Sequence, residues 1–125
     1  MSDIKILVVE DEAIVMMELQ HKLKSWSYKP FTATSGEDAI KKAIQIKPDL
    51  ILMDIMFKGG IDGIEVIHQI KDHLDIPVIY LPAHSSDEVL ERAKTTKPCA
   101  YLIKPFDERE LQINIETALK FSNLN

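Results

Sequence analysis

Carboxylates and one ammonium follow apolar runs at three separated points of this chain. Glu10-Asp11-Glu12 follows Ile4 to Val9, Asp54 follows Leu50 to Met53, and Lys104-Pro105 follows Ala100 to Ile103. Taken singly, each has an ordinary explanation. Asp11 or Glu12 could cap a helix, Asp54 could be a solvated turn residue, and Lys104 a surface charge. Brought to one rim, they would do chemistry. Clustered carboxylates repel one another unless a cation relieves them. Magnesium takes a few carboxylates together with waters and phosphate oxygens. A lysine ammonium is a point charge suited to a phosphoryl oxygen. A carboxylate anchored in a core beside a metal, as Asp54 would be, is a candidate nucleophile for phosphoryl transfer.

The elements that must position these groups are legible as an alternation. Ile4 to Val9, Leu50 to Met53, Val78 to Leu81 and Ala100 to Ile103 are near-continuous apolar runs. That is the pattern of strands buried on both faces. A weaker strand is expected from Tyr28 to Ala33, at an edge because it contains Pro30. Between the runs lie helical stripes. They are Val15, Met16, Leu19, Leu23 and Trp26; Ala39, Ile40, Ala43 and Ile44; Val66, Ile67, Ile70 and Leu74; and Leu111, Ile115, Ala118 and Leu119. Ser35 with Asp38 and Asp107 with Glu110 have capping-box spacing. Ser86 to Lys94 reads as a short polar helix that buries only Val89, Leu90 and Ala93. Strands alternating with helices imply right-handed crossovers and a parallel sheet, which binds ligands at the carboxyl ends of its strands.

Composition narrows the function classes. The 125 residues suit one domain, 1–125, and 46% hydrophobic with 28% charged residues suits a globular one. A formal net charge of −5 argues against nucleic-acid binding by this domain. No apolar run is long enough to span a membrane, and the N-terminus lacks the layout of a signal peptide. The single cysteine, Cys99, excludes an internal disulfide and fits a cytoplasmic location. His21, His68, His73 and His84 show no metal-ligand spacing.

The pattern Ile6-Leu7-Val8-Val9-Glu10-Asp11-Glu12, Leu52-Met53-Asp54-Ile55-Met56, Asp62-Gly63 and Lys104-Pro105-Phe106 resembles the receiver domain of two-component response regulators from end to end. The resemblance implies a flavodoxin-like doubly wound α/β fold with strand order 2-1-3-4-5 and five helices. It implies that Asp54 accepts a phosphoryl group from a histidine kinase or phosphotransfer protein in a magnesium-dependent reaction. Asp11 would bind the ion directly, Glu10 through a metal-bound water, and Met56 through its backbone carbonyl. Lys104 would pair with Asp54 and then with the phosphoryl group, and the Lys104–Pro105 bond would be cis. The output would be altered binding of a downstream protein partner, with no separate substrate turned over beyond self-phosphorylation and slow autodephosphorylation.

One position departs from the family. Receivers usually carry Thr or Ser after the fourth strand, and Pro82 stands there, followed by the small Ala83. Proline has neither the hydroxyl nor an N–H, so a phosphoryl group would lose one hydrogen bond, worth about 1.5–3 kcal/mol to a charged acceptor. In the family that hydroxyl also draws in an aromatic residue of the fifth strand, matched by Tyr101. Switching is therefore expected to be weakened or rerouted. A pseudo-receiver acting as a constitutive interaction domain is the first alternative. A magnesium-dependent aspartyl phosphohydrolase is the second, disfavoured because Met56 stands where such enzymes need a second acid.

Overall fold

Side chains of β1 (Lys5–Val9) alternate between two apolar clusters, Ile6 and Val8 facing one and Leu7 and Val9 the other. β3 (Leu50–Met53) does the same, so its four residues are fully buried although they show no polar alternation. This computed structural model describes residues 3–56, 61–83 and 87–122. With β2 (Lys29–Ala33), β4 (Val78–Tyr80) and β5 (Ala100–Tyr101) these strands form one parallel sheet in the order β2-β1-β3-β4-β5. The fold is the doubly wound α/β arrangement with order 2-1-3-4-5.

The helices are α1 (Ala13–Ser25), α2 (Gly36–Ile46), α3 (Gly63–Lys71), α4 (Asp87–Lys94) and α5 (Glu108–Ser122). α1 and α5 cover one face through Met16, Leu19, Leu23, Leu111, Ile115 and Ala118. α2, α3 and α4 cover the other through Ala39, Ala43, Val66, Ile67, Ile70 and Ala93. Each fully buried Leu or Ile contributes about 1.5–3 kcal/mol relative to exposure, so the paired faces dominate the stability. No helix among the described residues is long and apolar enough to cross a membrane.

Local signals acted as expected at several ends. Pro30 lies on β2, the edge strand, where a missing donor costs nothing on the outer side. Ser35 Oγ accepts from Asp38 N–H at 3.2 Å, and Asp107 Oδ2 from Glu110 N–H at 3.2 Å. Glu12 occupies the α1 N-cap without a side-chain cap bond.

Other boundaries moved. β4 stops at Tyr80 and β5 at Tyr101, short of the expected Leu81 and Ile103. Pro82 explains the stop, because it cannot donate to the next rung. Its carbonyl still accepts from Lys104 N–H at 2.8 Å, and Leu102 N–H reaches the Tyr80 carbonyl at 2.8 Å, so the chain remains extended alongside. Trp26 lies just past the end of α1 and Leu74 past the end of α3. Ile44 is 42% exposed at the rim of its stripe.

α3 begins at Gly63 because nothing larger fits there. A Cβ would lie 2.1 Å from the Asp54 carbonyl oxygen, whereas at Gly36 the nearest atom is a Val66 methyl at 2.7 Å. A backbone oxygen cannot yield as the end of a side chain can. Gly63→Ala should therefore lower stability by about 2 kcal/mol or more, and Gly36→Ala by clearly less, in urea denaturation. Equal losses would contradict this packing.

Candidate functional site

One further rung of the sheet holds each chemical group in place. Glu10 N–H donates to the Ala33 carbonyl at 3.1 Å, Asp54 N–H to Val9 at 3.0 Å and Lys104 N–H to Pro82 at 2.8 Å. The three side chains thus leave from backbone already pinned to neighbouring segments of the sheet. The Lys104–Pro105 peptide is cis.

Glu10, Asp11 and Asp54 meet at the carboxyl ends of β1 and β3, with a carboxylate oxygen of each within 4.8 Å of the others. Glu10 is fully buried and Asp54 is 5% exposed. Lys104 Nζ donates to Glu10 Oε2 at 2.7 Å and lies 3.7 Å from Asp54 Oδ1. Its nearest partner is therefore Glu10, where the sequence reading pairs it first with Asp54. A carboxylate with no solvent access needs a counter-charge more than one at the rim does. Glu10 Oε1 also accepts from Glu12 N–H at 3.2 Å, which fixes the carboxylate plane.

These contacts set the charge states. Burial, and then the neighbouring Glu10 charge, push the Asp54 carboxyl up to about 7, although Lys104 and the Ile55 N–H oppose the shift. Burial by itself would lower the Lys104 ammonium. The bond to Glu10 and the charges of Asp54 and Glu10 outweigh it and hold Lys104 above its ordinary value. Asp54 Oδ1 accepts from Ile55 N–H at 2.9 Å and faces Lys104, so one oxygen of the carboxylate is engaged.

Three clustered carboxylates balanced by a single lysine leave excess negative charge on hard oxygen donors. That donor set fits a magnesium ion, with Glu10, Asp11 and Asp54 as the side chains that would hold it. Met56 follows on the same segment with its side chain 62% exposed.

The positions that the resemblance would assign to a switch lie on the neighbouring strands. Pro82 is buried and Ala83 exposed. Tyr101 is half-buried and stacks on Tyr80, with centroids 6.1 Å apart and planes 19° from parallel. Tyr80 was not anticipated. It is fully buried, burial pushes its hydroxyl up to about 12, and it bonds Thr96 Oγ1 at 2.8 Å. Asp62 was noted only beside Gly63, yet it caps α3 by accepting from Glu65 N–H at 3.0 Å and pairs with Arg92 at 2.8 Å. The Asp62-to-Glu65 spacing of a capping box could have revealed the first role. The histidines form no cluster among the described residues: His21, His68 and His73 are exposed, and His68 meets Thr95 Oγ1 at 3.0 Å. His84 and the segment Phe57-Lys58-Gly59-Gly60 lie outside the described residues.

A doubly wound parallel sheet whose strand ends gather carboxylates and a lysine defines an α/β domain with an acidic rim site. Residues 6–116 match the profile of the response regulator receiver domain, and the chain belongs to that family, part of two-component signalling. It is 38% identical over 123 residues to the alkaline phosphatase synthesis transcriptional regulatory protein PhoP of Bacillus subtilis, covering 96% of this chain and 50% of that protein. It is 34% identical over 116 residues to the transcriptional regulatory protein PdtaR of Mycobacterium tuberculosis, covering 92% of this chain and 56% of that one. The chain thus spans about half the length of these curated relatives. Among solved structures, the signal receiver domain of a modulated diguanylate cyclase from Desulfovibrio desulfuricans superposes with a TM-score of 0.91 at 31% identity, covering 98% of both chains.

The raised Asp54 value has a thermodynamic consequence. Its folded pKa lies above its unfolded one, so protonation stabilises the fold, and that stability is lost as pH rises from about 4 through about 7. The full shift corresponds to about 4 kcal/mol, and solvent access to the rim reduces this to about 2. In EDTA, Asp54→Asn should match wild type near pH 4 and exceed it by about that amount at pH 8, read by thermal denaturation. A constant difference across that range would contradict the assignment.

Proposed function

We propose that this receiver accepts a phosphoryl group on Asp54 and uses it to alter binding of a downstream protein. The observation that carries the reading is the buried Glu10–Lys104 pair beside a carboxylate that costs free energy to ionise. The donor would be a phosphohistidine of a histidine kinase or phosphotransfer protein. The Asp54 oxygen left free by Ile55 attacks phosphorus, the P–N bond breaks, and the imidazole takes the bonding pair as leaving group. The product is an acyl phosphate. Lys104 remains charged throughout and stands near enough to Asp54 to contact the incoming phosphoryl oxygens. A magnesium ion bound by Glu10, Asp11 and Asp54, with the Met56 carbonyl, would neutralise charge on those oxygens. Asp54 and Lys104 are thus the catalytic groups of this self-phosphorylation.

Pro82 favours a second reading, a receiver fold kept as a constitutive interaction domain. The two readings differ in one observable. Acetyl phosphate with magnesium should add one phosphoryl group to wild type, seen by intact mass, and none to Asp54→Asn. An unlabelled wild type, under conditions that label an ordinary receiver, would support the constitutive domain.

Pro82→Thr restores a hydroxyl at the rim, so it should enlarge the phosphorylation-dependent change in the Tyr101 ring resonances. An unchanged response would show that Pro82 does not limit the coupling.

A further inference from the structure

The start of α3 is locked to the acceptor residue. Gly63 N–H donates to the Ile55 carbonyl at 2.7 Å, and the Gly63 Cα packs against the Asp54 carbonyl too closely for any Cβ. A shift of the backbone at Asp54 must therefore move Asp62, the preceding residue. Asp62 has two bonds in different directions. Its Oδ1 accepts from Glu65 N–H at 3.0 Å inside α3, and its Oδ2 accepts from Arg92 Nη1 at 2.8 Å in α4.

α4 is the helix best placed to follow such a pull. Only Ala93 is fully buried on it, with Val89 and Leu90 half-buried, so few apolar contacts resist a small displacement. The residues just after its last turn, next to Arg92, are tethered through further polar groups. Thr96 Oγ1 donates to the Ala93 carbonyl at 2.7 Å and thereby accepts from the Tyr80 hydroxyl at 2.8 Å. Lys71 Nζ donates to the Thr96 carbonyl, and His68 meets Thr95 at 3.0 Å. Both ends of α3 thus hold the last turn of α4 and the residues just after it, and Tyr80, which bonds Thr96, stacks on Tyr101.

We propose that the Asp62–Arg92 pair links the state of Asp54 to the position of α4, taking the place of the hydroxyl that Pro82 lacks. Asp62 and Arg92 are positioning residues, acting through the backbone at Asp54 and not on the phosphoryl group. The route runs Asp54 to Gly63 to Asp62 to Arg92 and continues through Thr96 and Tyr80 to Tyr101. An exposed ion pair adds little stability, so its part is to keep two helices in register. The inference rests on the reading of Asp54 as phosphoryl acceptor.

The test compares amide spectra of the 125-residue chain before and after beryllofluoride with magnesium. In wild type, amides around Asp54 and along Asp87 to Lys94 should both shift. In Arg92→Gln and in Asp62→Asn, which retains a capping oxygen, the α4 shifts should fall at least twofold while those around Asp54 persist. Arg92→Lys should recover part of the α4 response. Undiminished α4 shifts in both variants would overturn the link and leave the acceptor reading intact. Absent shifts around Asp54 in wild type would overturn the acceptor reading, and the link with it.

Discussion

A fully buried glutamate held to a lysine is the constraint around which the rim is arranged. Glu10 has no access to water, and without Lys104 at 2.7 Å its charge would be uncompensated. The Lys104 backbone that carries this side chain is itself bonded to the Pro82 carbonyl. Asp54 then stands beside a pair already neutralised, and its charge is left over together with that of Asp11. That imbalance raises its affinity for a proton and, by the same physics, for a cation or a transferred group that brings a metal with it.

The sheet supplies the stiffness this requires. Ile6 to Val9 and Leu50 to Met53 are buried on both faces, so the backbone feeding Glu10 and Asp54 cannot relax outward without opening two cores. Membership of the receiver family follows from the profile match and from relatives above 30% identity. Pro82 has no N–H to donate at the rim, yet its carbonyl is bonded to Lys104.

Much of this was legible in the residues. Glu10, Asp54 and Lys104 directly follow apolar runs and Asp11 adjoins Glu10, so the residues alone place all four at strand ends. The strand order was legible only through family resemblance, since periodicity does not order strands. Three features stayed hidden because they depend on contacts distant in sequence. Lys104 prefers Glu10 because Glu10 alone of the carboxylates is sealed from solvent. Asp62 meets Arg92 across two helices, 30 residues apart. The bond between the Tyr80 hydroxyl and Thr96 spans 16 residues and has no signature in the local sequence. The shortened β4 and β5 were within reach, because a proline after Leu81 already implies a missing rung.

The central claim is that Asp54 is poised by its neighbours, and the Asp54 carboxyl carbon reports this directly. Its resonance, followed by NMR through a pH titration without metal, should move with a midpoint near 7. Saturating magnesium should pull that midpoint down. A midpoint near 4 in the metal-free protein, unchanged by magnesium, would contradict the account.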